Sequence, residues 1–476
     1  MAADLLLERL SSHLPKSEML RFMAWNRAPN QVSSVNKSYA RYDAAVGFVQ
    51  PRLEELLKFK VVVASCSMAA KLYNLGVPRG HFDAVFIDEA GQALEPEAVA
   101  VFTALYHTGQ LVVLAGDHKQ LGPMVRSDIA NRYGLGTSFL ERLGARPLYL
   151  PNAAAGAAPS GAEMDDDFIV VSADTSGDEG AALQQAPAAP GEMADGLGYD
   201  TRVITKLVRN YRSHADILKT SNELFYDGHL RSSDKDSEAY MRSQSLADWE
   251  GLPVQGFPLI FHGIEGKNEQ EANSPSWFNI AECTQVLSYV QSLVNAKGRF
   301  KVQPSDIGIV TPYAKQVEKL SLLLRKESVT VGENGVMVGS AEKFQGQERR
   351  VIIISTVRSS ESFLAFDASH NLGFVSNPKR FNVAVTRAQA LLIVVGNASI
   401  LARDKQWGKL LWMCHDKGAY VGMELPARTE DDEERKAVVM LDTLQELRLD
   451  DDSESDDDEH GPGPAEQQEM PGWRDD

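Results

Sequence analysis

Residues 84–105 read AVFIDEAGQALEPEAVAVFTAL: an apolar run, two carboxylates, a glycine, then a helical pattern. A short run that is apolar on both faces and gives way to a helix is how a buried parallel strand and its crossover look in sequence. Similar Val- and Ile-rich runs recur at Lys60–Cys66, Leu111–Asp117, Ile307–Tyr313, Val351–Thr356 and Leu391–Asn397. Between them, Glu95–Leu105 and Ala314–Lys326 carry apolar residues at helical spacing. The chain therefore reads as α/β, with enough strand–helix units for one sheet in residues 1–150 and a second in 201–426.

The 476 residues rule out a single small module. The net charge of −18 is unevenly spread. Residues 152–200 hold ten acids and no base, residues 430–476 hold nineteen acids and four bases, and the other 380 residues sum to +7. A mildly basic body with acidic appendages suits a polyanionic partner. The segment 151–200, built of Ala, Gly, Pro, Ser and acids, is expected to be a disordered insertion. Its one apolar run, Phe168–Val171, is expected to be plain linker, with a short docking motif as the alternative. The tail, 427–476, is expected to be disordered, acidic and solubilising. Cys66, Cys283 and Cys414 lie far apart, which suggests neither a zinc site nor a disulfide framework and points to a reducing, cytoplasmic home. No run is long and apolar enough to span a bilayer, so no membrane partner is expected.

Chemistry concentrates at strand ends. Asp88 and Glu89 follow the strand of 84–87, and alternate side chains of an extended chain point opposite ways. Asp88 can thus hold a Mg²⁺ shell while Glu89 orients or deprotonates a water. An isolated Asp-Glu pair is ordinarily a solvent-facing turn. Gly116 lets the chain turn after the strand of 111–115, and Gln120 is a neutral donor and acceptor able to sense a terminal phosphate. The second half supplies cations: Arg209 and Arg212 around Asn210 and Tyr211, then Arg380 and Arg387. Phosphoryl transfer needs guanidinium donors at the developing charge. The run from Gly339 to Glu348, including Ser340 and Gly346, has short side chains that permit close approach to a phosphate or ribose.

Seven segments share one order: FIDEAGQALEPE (86–97), LVVLAGDHKQLGP (111–123), ITKLVRNYRSH (204–214), NSPSWFN (273–279), VTPYAKQVEKL (310–320), VGSAEKFQGQERRVIIISTVRSS (338–360) and NPKRFNVAVTRAQALLIVVGN (377–397). Together they resemble superfamily-one helicases of the up-frameshift-like class. The resemblance is greatest to the Armitage-type RNA helicases, which include the plant silencing-defective and the animal Moloney-leukaemia-virus-resistance proteins.

The resemblance implies two RecA-like P-loop NTPase domains with parallel sheets and ATP between them. It implies that Asp88 binds Mg²⁺, that Glu89 is the base for water, and that Gln120 contacts the γ-phosphate. Arg212 and Arg387 would reach the phosphates, Tyr211 would pack on adenine, and Glu348, with Gly346 beside it, would lie near the ribose. Thr311, Pro312, Tyr313 and Ser340 would touch the nucleic-acid backbone. The implied activity is ATP-driven 5′-to-3′ unwinding of RNA, or remodelling of ribonucleoprotein, linked to RNA silencing. Its partners would be single-stranded RNA or a tailed RNA duplex and Argonaute-type proteins, in cytoplasmic ribonucleoprotein granules.

One expected element is missing from the sequence, the G-x-x-x-x-G-K-[ST] phosphate loop. Gly266–Lys267 and Gly408–Lys409 are the two Gly-Lys pairs, and Asn268 and Leu410 follow them instead of a hydroxyl residue. The expectation is accordingly a first domain that lacks its N-terminal part and its phosphate loop. The chain would be inactive by itself; a catalytically dead RNA-binding or scaffold remnant is the alternative.

Overall fold

Residues 2–151, 169–172, 199–272, 274–332, 334–359, 374 and 377–428 are described by the computed structural model. They group into two units, Met1–Leu207 and the part from Val208 onward.

In the first unit, helix α1 (Ala2–Leu10) packs Leu7 against Met19 and Val63. Those two residues belong to a parallel pair, β1 (Met19–Arg21) and β2 (Val61–Val63). Asp4 of α1 accepts from Arg21 and Arg27 at 2.8 and 2.6 Å, which compensates for burying the Arg21 guanidinium. Ser65 takes an extended backbone and starts α2 (Cys66–Asn74). The strand expected over Lys60–Cys66 therefore ends early, because Cys66 is already helical.

The next strands, β3 (Ala84–Ile87) and β4 (Leu111–Ala115), are parallel and joined through α3 (Glu95–Leu105), whose limits are those its spacing predicts. Val85, Ile87 and Leu114 face a core that also holds Phe22, Leu72, Val101 and Leu105.

Two expectations need correction. The segment 151–200 is not all linker: Ile169–Ser172 forms strand β5. This strand runs antiparallel to β4 on one side and to β6 (Ile204–Thr205) on the other. The first unit's sheet is consequently mixed rather than parallel. Three consecutive β-branched residues are enough to complete the β4 edge, and averaging composition over fifty residues conceals them. The expected insertion also ends too late, because Tyr199 is buried in the same core; residues 152–168 and 173–198, and the acidic tail from 429 on, lie outside the described residues.

The main sheet of the second unit holds six strands, all parallel: β7 (Leu259–Gly263), β8 (Ile307–Val310), β9 (Met337–Gly339), β10 (Arg349–Ser355), β11 (Ala388–Gly396) and β12 (Tyr420–Gly422). Their order across the sheet is β9-β8-β10-β11-β7-β12. All nine residues of β11 are buried. A strand so placed must have helices over both faces of its sheet. Helices α5 (Ile280–Val294) and α6 (Ala314–Lys326) supply apolar cover, through Val286, Val290, Leu320 and Leu324. The α6 limits also match those predicted from spacing. Helix α4 (Ala215–Phe225) opens the unit, while α7 (Pro378–Val385) and α8 (Lys405–Asp416) flank β11 in sequence. Among the described residues, no helix is long and apolar enough to cross a membrane.

The end of β11 is tightly filled. A Cβ at Gly396 would sit 2.1 Å from Thr356 Oγ1 and 2.9 Å from Leu401. Gly396→Ala should thus lower unfolding free energy by about 1–3 kcal/mol, the usual cost of overpacking. Urea denaturation would show this as a lower midpoint at unchanged slope. Adding Thr356→Ala should restore most of the loss, because it removes the colliding oxygen.

Candidate functional site

In the first unit, the loops after β3 and β4 touch through their backbones. Ala90 N donates to Ala115 O at 2.8 Å. A Cβ on Gly116 would lie 2.7 Å from Gly91 N, and one on Gly91 would lie 2.9 Å from Asp117 O. Glycine at both positions lets two strand ends close on each other. Between them Glu89 adopts a left-handed backbone, φ 55°, a conformation that is uncommon for a residue with a side chain. Its Oε2 accepts from Gln92 Nε2 at 2.6 Å, and its N–H donates to Asp88 Oδ1 at 3.0 Å. Across the contact, Asp117 Oδ2 accepts from Gln120 Nε2 at 2.6 Å and Oδ1 accepts from Lys119 N at 2.8 Å. Asp88 is exposed, and Glu89 and Gln120 are half-buried. All three expected residues therefore sit at the carboxyl ends of adjacent parallel strands, where ligands bind in open α/β sheets.

The second unit places its expected residues in two groups. Arg212, Glu348 and Arg387 gather where β10 and β11 begin. Arg212 Nε donates to Glu348 Oε2 at 2.5 Å and Gln389 Nε2 donates to Glu348 Oε1 at 2.9 Å. Burial alone would raise the Glu348 pKa, but the Arg212 hydrogen bond and charge, Gln389, and the charge of Arg387 bring it below the ordinary carboxylate range. Asn210 Oδ1 accepts from the N–H groups of Arg212 and Ser213, and His214 N donates to Gln389 O at 2.9 Å. These bonds dock the 210–214 turn on the start of β11. Tyr211 stands 61% exposed beside them. Arg387 is buried at 2% exposure, its Nε on Val383 O at 3.2 Å and its Nη2 on Thr386 Oγ1 at 3.3 Å. Gly346 makes the turn into this group with φ 64°.

The second group lies at the opposite edge, roughly 20 Å away along the seven residues of β10 at ~3.3 Å each. Thr311 follows β8, with its N–H on Gly339 O at 2.9 Å. Thr311 and Tyr313 are buried, and Pro312 and Ser340 are half-buried. Ser340 leads into Glu342, whose carboxylate accepts from Arg380 Nε at 2.8 Å.

These residues fit a nucleotide and Mg²⁺ in part. Among the described residues no group of three His, Cys, Asp or Glu would hold a metal alone. Asp88 would be one carboxylate ligand, which is how Mg²⁺ is usually held when phosphates and water complete its shell.

Comparisons with known proteins agree with the resemblance read in sequence. Two family models, each described as an AAA domain, match residues 13–128 and 195–399. The Danio rerio protein mov-10-B.1 is 40% identical over 458 residues, covering 94% of this chain and 40% of that protein. "RNA helicase Mov10l1" of Homo sapiens is 40% identical over 427 residues, 89% of this chain and 31% of that one. "Probable RNA helicase armi" of Drosophila melanogaster is 34% identical over 477 residues, 95% and 36% of the two chains. The chain thus spans less than half the length of these relatives.

Sequence reasoning missed Gln389, the Glu342–Arg380 pair and Glu282. Asn279 caps α5 by accepting from Glu282 N at 3.2 Å. The Asn-x-x-Glu spacing was a readable capping signal, but nothing in it shows that Glu282 is fully buried. Burial pushes the Glu282 carboxyl up to about 7, against hydrogen bonds from Ser355, Val357 and Thr356 that lower it. A folded pKa above the unfolded value of 4.5 means the native state binds the extra proton, so this group's contribution declines as pH rises from about 4.5 to about 7. The loss is on the order of 3 kcal/mol. Burial lowers the pKa of His214 and of His262, which bends the profile the other way. The measurement is therefore a difference: unfolding free energy of wild type should fall relative to Glu282→Gln between pH 5 and 7.

Proposed function

We propose, for a chain that belongs to the up-frameshift-like, superfamily-one helicases with Mov10l1 and armi as homologues, that it is motor machinery of an ATP-dependent, 5′-to-3′ RNA helicase serving RNA silencing in the cytoplasm. The observation that supports it best is the locked contact of Gly91 with Gly116, which sets Asp88, Glu89 and Gln120 side by side at two strand ends.

In this reading Glu89, its Oε2 held by Gln92 Nε2 at 2.6 Å, accepts a proton from the attacking water. Gln120, held by Asp117, orients the water or the terminal phosphate. Mg²⁺, held by Asp88, would neutralise charge on the phosphate oxygens. Arg212 and Arg387 supply positive charge to the phosphates, and Tyr211 offers an exposed ring to the base. Single-stranded RNA and Argonaute-type proteins are the proposed partners.

Joining the 476 residues to an N-terminal segment with a G-x-x-x-x-G-K-[ST] loop should produce RNA-stimulated ATP hydrolysis. Glu89→Gln should abolish it, and Arg387→Ala should lower kcat by about 10³ or more with RNA affinity unchanged. The 476-residue chain by itself should bind RNA and hydrolyse little ATP. Turnover that survives Glu89→Gln would overturn the assigned chemistry. RNA binding without turnover in the joined protein would favour a scaffold instead.

A further inference from the structure

At the carboxyl edge of β8 and β10, three elements meet in a buried polar cluster. Glu282, from the first turn of α5, accepts from Ser355 Oγ at 2.6 Å and from Val357 N at 2.9 Å, both at Oε2. Asn279 Nδ2 approaches its other oxygen at 3.3 Å and reaches Val357 O at 3.2 Å. Gln316, from the first turn of α6, joins the cluster by donating to Ser355 Oγ at 2.8 Å while accepting from Asn279 N at 2.9 Å. The segment they grip is strained: Val357 is β-branched yet has φ 72°. Such a backbone persists only where its surroundings over-determine it. The next residue, Arg358, is buried with its guanidinium carbon 4.8 Å from the Trp277 ring centroid and 5.0 Å from that of Tyr313.

We propose that Glu282 is a positioning residue for the nucleic-acid strand: its carboxylate holds Val357 in the left-handed backbone, which sets Arg358 between Trp277 and Tyr313 and so fixes the Thr311–Tyr313 loop. The inference rests on the reading that this loop meets RNA. A carboxylate is needed because Ser355 Oγ, Val357 N and Asn279 Nδ2 each offer Glu282 a proton, and an ionised carboxylate only accepts. An amide would turn its own NH₂ toward one of those donors. Arg358 acts as a brace, since its charge is attracted to the faces of both rings and its burial keeps it off the strand itself.

The test is binding of fluorescein-labelled oligouridine RNA by the 476-residue chain, followed by anisotropy at pH 8.5, where Glu282 is ionised, and below the unfolding transition of every variant. Glu282→Gln and Arg358→Met should each weaken binding about tenfold, and the double variant should be no weaker than either single one. Val357→Gly adopts the same backbone without strain, so in the Glu282→Gln background it should recover most of the affinity. A residue that only supports stability would give losses that multiply, with no rescue by glycine. If Glu282→Gln does not fold, Ser355→Ala removes one donor and should show the same non-additivity with Arg358→Met. Wild-type affinity in the Glu282 or Ser355 variant, or multiplying losses, would overturn the proposal. Failure of the wild-type chain to bind RNA would instead overturn the helicase reading beneath it.

Discussion

Parallel pairing constrains the second unit more than any other interaction. Each strand of a parallel sheet runs the same way, so every connection must travel from the carboxyl edge back to the amino edge. Loops are thereby sorted into two sets that cannot mix. Arg349 pairs with Ala388 at one end of the β10–β11 ladder and Ser355 pairs with Val395 at the other. Residues just before the ladder, Glu348 and Arg387, share the amino edge, and residues just after it, Val357 and Arg358, share the carboxyl edge. Two chemically different groups, one built on an Arg–Glu pair and one on an arginine over two aromatic rings, can coexist in one domain because about 20 Å of ladder separates them.

The same constraint explains where polar groups are buried. Both faces of the sheet carry Val, Ile and Leu, and an unpaired polar group there would cost more than it could regain. At the carboxyl edge the ladder ends: Thr356 N still donates to Val395 O at 3.2 Å, whereas Val357 N donates to Glu282 instead. Glu282 accepts from Val357 N and Ser355 Oγ, while Gln316 donates to Ser355 Oγ and Asn279 donates to Val357 O, all from the starts of α5 and α6. Those first turns have donors of their own to satisfy, and Asn279 does both tasks. A fully connected polar network of this kind rigidifies its surroundings, whereas a half-satisfied one would be worse than an apolar core.

Much of the fold was legible in sequence because its strongest signals are local. Helices α3 and α6 have the limits that their spacing predicts, and all six apolar runs contain strands. Strand β5 was not legible, since Ile169–Ser172 is four residues in a stretch whose average composition argues against order. Pairing with β4 is a tertiary event that no window of sequence contains. The carboxylate loops of the first unit were legible because each lies directly after its own strand. The grouping of Arg212 with Glu348 and Gln389 was not, because these residues are 136 and 41 positions apart along the two links and only the sheet order joins them. Likewise Tyr313 reads as a surface contact in sequence, yet it is buried against Arg358.

The Arg212–Glu348 pair has a further energetic property. Its side chains are 28% and 40% exposed, so water screens the attraction and the pair contributes about 0–1 kcal/mol. A guanidinium held so weakly can leave for a phosphate at little cost, while the carboxylate keeps Gln389 as a partner. Arg387 is the opposite case. It is buried, its Nε and Nη2 are bonded to its own helix turn, and its charge already acts on Glu348 through a medium with less water. Of the two arginines that the helicase reading assigns to the phosphates, Arg212 is therefore the more exposed and the more weakly held, and Arg387 the one fixed by its own helix turn.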